Sequence, residues 1–187
     1  YTQPNPFKPF HIGHLMSNAI GESIARLVDF HGGEVVRANY QGDIGPHIAK
    51  AMYGIIKKGE GILGKTVNDK AAYIGECYAY GAALYEDDPA AKAEMDEINK
   101  KLYAGDSVYK EIYDEGRKVT LEAFEEIYVM LGTKFDKYYF ESELAPKGVA
   151  LVKDYMTKGI FEESEGAIIF RAERFNPKLH TRVFLTS

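Results

Sequence analysis

Pro4-Asn5-Pro6-Phe7-Lys8-Pro9-Phe10-His11-Ile12-Gly13-His14-Leu15 is the stretch whose reading decides the fold. Prolines at positions 4, 6 and 9 hold their own φ at about −65° and bias the residues before them toward extended backbone. After Phe10 the pattern turns helical. Ile20, Ile24, Leu27 and Val28 recur at helical steps, Ser17, Glu22 and Arg26 are polar, and Gly32-Gly33 supplies a stop, which predicts a helix over about Ile12–Phe30. His11 and His14 then project from one side of its first turn. Gly13 leaves bare backbone that a flat ring can approach, and unpaired N–H groups with the positive end of the helix dipole favour phosphate in the same space.

Two histidines so placed also fit a solvated cap or two ligands of a metal ion. A metal needs further ligands, whereas the chain has one cysteine, Cys77, and His31, His47 and His180 sit in unrelated contexts. These residues give no metal site.

Working outward, Tyr1–Gln3 reads as the last piece of a buried first strand and Glu34–Tyr40 as a second, β-branched one. Strand, helix, strand makes a βαβ crossover and a parallel sheet of Rossmann type. Ligands bind such sheets at the first turn of the unit. That turn carries the histidine segment instead of a Gly-x-Gly-x-x-Gly loop, so a dinucleotide site is not supported. Gln41–Gly45 is the loop after the second strand, and Asp43 there reads either as a substrate neighbour or as the cap of a helix opening at Pro46.

From about Asn68 to Leu131 the chain is helical and tyrosine-rich, with a helix start at Asp88-Pro89, a stop and restart at Gly105-Asp106, and Ala79, Ala82 and Ala83 as close-packing positions. Lys134–Phe140 returns to strand, Pro146 opens a helix to about Lys158, and Ile160–Glu162 with Ala167–Phe170 reads as a β-hairpin through Ser164-Glu165-Gly166. A last strand begins near His180 and runs to about Thr186. The division expected is 1–58 for the first half of a Rossmann core, 59–133 for a helical insertion, and 134–187 for the return to the core.

The 187 residues are 45% hydrophobic and 27% charged, with a formal net charge of −5, which argues against a general nucleic-acid binder. A lone cysteine excludes an internal disulfide framework. No apolar run approaches the roughly 20 residues that span a bilayer, and no targeting segment opens the chain, so a cytoplasmic protein is expected. The abrupt start at Tyr1 and end at Ser187 suggest a piece of a longer protein.

The pattern Pro-Asn-x-x-Lys-x-x-His-Ile-Gly-His-Leu resembles the HIGH signature of class I aminoacyl-tRNA synthetases, and the form over Pro4–Leu15 is similar to that of the arginyl-tRNA synthetases. Val35–Gly45 resembles the Arg-x-Asn-x-x-Gly-Asp-x-Gly segment of the same family, and Phe135–Glu143 and His180–Leu185 are also similar to it. The resemblance spans nearly the whole chain, although the middle block carries no motif of its own.

It implies an α/β fold: the first part of a Rossmann-type parallel-sheet nucleotide-binding domain with a helical insertion and a β-hairpin. It implies a two-step reaction. The carboxylate of L-arginine attacks the α-phosphorus of ATP, giving arginyl-adenylate and pyrophosphate, and the acyl group passes to a ribose hydroxyl of tRNA(Arg). Positioning and charge stabilisation supply most of the acceleration in such chemistry. His11 and His14 are then donors to phosphate oxygens, Gly13 and Pro9 line the ATP, and Lys8 supplies charge to the triphosphate where the usual KMSKS lysine is missing. Asn5, Gln41 and Asp43 meet the amino acid. Magnesium is implied by ATP chemistry and by no residue here; neither membrane nor DNA is an expected partner. The family's guanidinium acceptors would fall before Tyr1 and after Ser187, so half an active site is expected, inactive by itself. Two other classes share part of the pattern. Another HIGH-type enzyme, a different class I synthetase or a nucleotidyltransferase, has His-x-Gly-His without the Asn-Tyr-x-Gly-Asp-x-Gly segment at this distance. A non-catalytic relative acting as a binding module has no need of Lys8, His11, Gly13 and His14 together.

Overall fold

A computed structural model describes residues 1–185, so the Thr186 end of the expected last strand lies outside the described residues. The first helix, α1, runs Ile12–Phe30 as its pattern predicts. Strands β1 (Ala38–Gln41) and β2 (Lys137–Phe140) pair in parallel, Ala38 opposite Lys137 through Gln41 opposite Phe140. A parallel pair needs a long crossover. Here it consists of α2 (Pro46–Lys58), α3 (Val67–Asp87), α4 (Pro89–Ala104), a 3-10 turn at Ser107–Tyr109 and α5 (Lys110–Leu131). Local signals set these ends. Asp88 caps α4 by accepting from Ala90 N at 2.8 Å, and Gly105 closes it with φ 70°.

One sequence expectation fails near the amino terminus. Tyr1–Gln3 is not a strand, because Thr2 and Gln3 take φ of 73° and 53°; Gln3 N donates instead to Asn39 Oδ1 at 3.1 Å. The apolar stripe of α1 does not face the interior. Its buried residues are Asn18, Glu22 and Ala25, while Met16, Ile20, Ile24 and Leu27 lie uncovered by the described residues. The polar residues turn inward because each finds partners there, as buried polar groups must. Asn18 Nδ2 donates to Thr2 Oγ1 at 2.9 Å and its Oδ1 accepts from Thr133 Oγ1 at 2.9 Å. Glu22 accepts from Tyr1 Oη, from Arg26 Nε at 2.8 Å and from Arg37 Nε at 3.1 Å.

The main core joins α2, α3, α4 and α5 around Ile48, Met52, Ile55, Ile74, Cys77, Met95 and Val119, with Phe7 of the proline segment inserted among them. The close crossing of α2 and α3 is made by Gly54 and Gly81, not by the alanines. A Cβ at Gly54 would fall 2.3 Å from Cys77 O, and one at Gly81 2.1 Å from Lys50 O, while Ala79 and Ala83 are exposed.

Helix α6 spans Glu141–Thr157, so it starts before Pro146, which sits inside it. Pro146 has no N–H for the preceding turn, and the true start is held from a distance: Asp43 Oδ1 accepts from Ser142 N at 2.9 Å. The chain forms two compact units, one of residues 1–142 and one beginning at Glu143. In the second, β3 (Glu162–Ser164), β4 (Ala167–Phe170) and β5 (Arg182–Leu185) form an antiparallel sheet in that order. Glu165 and Gly166, with φ of 52° and 78°, make the two-residue turn of the hairpin, as a type I′ connection requires.

Candidate functional site: a histidine-capped helix beside a parallel strand pair

The first turn of α1 is capped by the two histidines themselves. His11 is the N-cap, and its Nδ1 accepts from Gly13 N at 3.1 Å. His14 Nδ1 accepts from His11 N at 3.2 Å, and the two rings stack with centroids 3.8 Å apart. This reciprocal arrangement is a capping box built from imidazoles. It also corrects the expectation of free backbone donors: His14 N and Leu15 N are bonded to His11 O at 2.9 and 3.2 Å. Among the first-turn backbone donors only Ile12 N keeps no partner among the described residues, so most donors left for an anion are side-chain ones. A neutral ring whose Nδ1 accepts carries its proton on Nε2, so each histidine offers an Nε2–H. Burial, then the neighbouring His11 and Lys8, hold His14 below its ordinary 6.5, which favours that neutral ring. Gly13 leaves room for the cap, since a Cβ there would stand 3.0 Å from His11 Cε1 and the ring would have to give way by a few tenths of an ångström.

The segment before the histidines is pinned by Phe7. Its side chain is fully buried, its N–H donates to Thr120 Oγ1 at 3.3 Å, and its ring fills the space that a Cβ at Gly116 would invade at 2.3 Å. The cost is a non-glycine φ of 63° at Phe7, a strained conformation that persists only where packing over-determines it. Lys8, next in the chain, places Nζ 4.9 Å from the centre of the Tyr78 ring on α3, and Pro9 packs at Gly75 one turn earlier.

The loops at the carboxyl ends of β1 and β2 complete the site. Asn5 Oδ1 accepts from Gly42 N at 3.1 Å, which leaves its amide NH2 as the group it can offer. Gly42 O is held by His47 Nε2 at 2.8 Å. Burial lowers the His47 pKa, the Gly42 hydrogen bond opposing and nearby Lys8 adding to the effect, so the ring is a neutral donor. Asp43 is fully buried and accepts from Ser142 N at 2.9 Å, Ser142 Oγ at 2.8 Å, Arg117 Nε at 3.0 Å and Tyr113 Oη at 3.2 Å. It does not cap α2, whose N-cap is Gly45 with no side-chain bond. Gln41 is fully buried, and neither Oε1 nor Nε2 has a partner among the described residues. Strand alternation sets Asn39 and Gln41 on one face of β1 and Tyr40 on the other.

The structure sets His11, Gly13 and His14 at the first turn of α1, places Lys8 and Pro9 in the segment before it against α3, and joins Asn5 to Gly42 at the strand ends. His47 and Tyr78 were not singled out in sequence. They carried no signal, because their partners lie elsewhere in the chain. Among the described residues no group of three or more His, Cys, Asp or Glu side chains could hold a metal ion, and no helix is long and apolar enough to cross a membrane.

A parallel strand pair with a histidine-capped helix at its mouth is the layout of the class I aminoacyl-tRNA synthetase catalytic fold. Residues 1–185 match the family model described as tRNA synthetases class I (R), catalytic domain, and the chain belongs to that family. It is 35% identical over 178 residues to an arginine–tRNA ligase of Treponema denticola, covering 90% of this chain and 29% of that protein. It is 30% identical over 174 residues to one of Bdellovibrio bacteriovorus, covering 90% and 30%. Among solved structures, the arginyl-tRNA synthetase of Thermus thermophilus superimposes with a TM-score of 0.70 at 26% identity, over 100% of this chain and 32% of that one. That of Plasmodium falciparum gives 0.73 at 21% identity over 98% and 30%, a likeness of fold. The chain spans about 30% of the length of the curated relatives it matches.

Proposed function

We propose that this chain is the ATP-facing part of an arginine–tRNA ligase, acting in the cytoplasm to activate L-arginine as its adenylate and pass it to tRNA(Arg). The observation that carries this reading is the histidine cap. Both rings spend Nδ1 on backbone N–H groups, so both hold Nε2–H donors in fixed directions at the positive end of a 19-residue helix. Such preorganised donors suit phosphate oxygens that gain charge in the transition state, and removing one typically costs about 3–4 kcal/mol. Lys8 adds a charge whose stem is fixed by Phe7 and whose ammonium rests on Tyr78. Pro9 and Gly13 border the same space. No nucleophilic side chain is required, because the substrate carboxylate is the nucleophile and pyrophosphate the leaving group.

Asn5 supports the amino-acid side of the reading, with its NH2 free to meet a carboxylate, and Gln41 offers an unsatisfied amide at the end of β1. Asp43 acts by positioning, since its carboxylate is filled by internal donors. Magnesium would accompany the triphosphate, and the phosphate-facing groups of this chain are histidine and lysine donors. The segment 59–133 serves as the insertion that carries Tyr78 to Lys8 and its acidic and basic faces to solvent. Calorimetric titration of the chain with ATP and with GTP tests the nucleotide reading. Saturable binding of ATP, stronger than that of GTP, is expected; equal binding of the two would contradict it.

A further inference from the structure

Lys8 carries a positive charge that no carboxylate among the described residues neutralises. Lys50, Lys57 and Lys58 also rest on tyrosine rings, but each reaches a carboxylate as well: Glu86 at 3.9 Å, Glu94 at 2.7 Å and Glu76 at 3.8 Å. Lys8 has the ring of Tyr78 alone, with Nζ 4.9 Å from the ring centre. An ammonium on a flexible four-carbon stem samples many directions unless something holds its head. Tyr78 supplies that hold from α3, a helix of the insertion. The same helix receives the neighbouring Pro9 at Gly75, where a Cβ would meet Pro9 Cδ at 3.7 Å. With Phe7 N–H on Thr120 Oγ1, three consecutive residues of the proline segment are seated, and the ammonium of Lys8 is left to face a ligand.

Burial is the first cause that holds His14 and His47 low, and the charge of Lys8 adds to it at both, so the ammonium on its ring lies within electrostatic reach of the helix cap and of the loop after β1. An aromatic face attracts a cation without neutralising it. A carboxylate in the same place would form an ion pair that an arriving phosphate has to break. We propose that Tyr78 is a positioning residue for nucleotide binding: the face of its ring holds the Lys8 ammonium toward the polyphosphate of ATP and leaves its charge free to meet it. This rests on the nucleotide reading above and adds to it a residue of the helical insertion that acts on ATP through Lys8. The ring face carries the effect, and the hydroxyl does not. The effect is confined to nucleotides with the β- and γ-phosphates that Lys8 serves, so AMP does not feel it.

The test is calorimetric titration of ATP and of AMP into the unaltered chain, Tyr78→Leu, Tyr78→Phe, Lys8→Met, and Tyr78→Leu made in the Lys8→Met background. Tyr78→Leu keeps an apolar side chain and removes the ring. It is expected to bind ATP about 2- to 5-fold more weakly, the range for one partly exposed cation–π contact, with AMP binding unchanged, which also shows that it folds. Tyr78→Phe keeps the ring face and is expected to bind ATP as the unaltered chain does. In the Lys8→Met background, Tyr78→Leu is expected to cost nothing further, because the two residues act as one contact. Four results would overturn the proposal: undiminished or tighter ATP binding by Tyr78→Leu, equal weakening of ATP and AMP, a loss in Tyr78→Phe as large as in Tyr78→Leu, or a further loss in the double variant. Each of these would leave the nucleotide reading standing. Absence of ATP binding by the unaltered chain would take both down together.

Discussion

Replacing Asp43 by asparagine separates a positioning role from a ligand-contact role more sharply than any other change. Both carboxylate oxygens are occupied: Oδ1 by Ser142 N at 2.9 Å, and Oδ2 by Ser142 Oγ at 2.8 Å, Arg117 Nε at 3.0 Å and Tyr113 Oη at 3.2 Å. An amide in that place must aim its NH2 at one donor set or the other, whichever way it is turned. A buried donor left unsatisfied costs about 1–3 kcal/mol, and removing one charge of a buried pair about 3–5 kcal/mol. Arg117 keeps 27% of its side chain exposed and its guanidinium carbon 3.9 Å from the centre of the Phe140 ring, so the second figure is discounted toward the first. The expected loss for Asp43→Asn is about 3 kcal/mol, with no ligand present. For a chain of this size that is a fall of about 6–12 °C in Tm, read by circular dichroism and checked by the urea midpoint at unchanged m-value. If Asp43 served only a ligand, the ligand-free chain would change by no more than about 0.5 kcal/mol. A melting curve that overlays the unaltered one would refute the positioning account.

Phe7→Ala removes the ring that locks the proline segment into the helical core, and a loss of about 3–5 kcal/mol is expected in urea unfolding; alanine keeps a Cβ and with it the strain of the positive φ, so nothing offsets the loss and a neutral result would show that the segment is held by something else. The Glu22 network gives a pH signature. Burial by itself would raise Glu22, but hydrogen bonds from Tyr1, Arg26 and Arg37 outweigh it and hold its pKa below the ordinary 4.5. A depressed folded-state pKa contributes stability that is complete above the unfolded value and lost as pH falls through the folded one. Urea midpoints measured between neutral pH and about pH 3 should therefore drop with acid, and Glu22→Gln should be less stable at neutral pH with a shallower slope; an unchanged slope would assign the acid sensitivity elsewhere.

How much was legible in sequence follows from the range of each interaction. The ends of α1, α4 and the hairpin turn are set by neighbours in the chain: Gly105 after Ala104, Asp88 before Pro89, Glu165-Gly166 between paired strands. These were readable, as was the His-Ile-Gly-His turn, because the histidines cap one another three residues apart. Long-range contacts were not. The start of α6 is held by Asp43, which no local pattern near Glu141 records, so Pro146 looked like the better start. The α1 stripe was readable as a stripe but not as to which face turns inward, since that depends on Thr2, Thr133 and Arg37 lying where Asn18 and Glu22 can reach them. His47 passed as unconnected because its partner is a backbone carbonyl, which has no sequence signature.

The central claim is that the stacked histidines offer Nε2–H groups to a triphosphate. It is tested most directly by calorimetric titration of ATP into the chain beside its His14→Ala variant, with helix content checked by circular dichroism. Saturable binding by the unaltered chain, weakened at least about tenfold by the substitution, is the predicted result. Equal binding by both chains would remove His14 from the phosphate site and contradict the account.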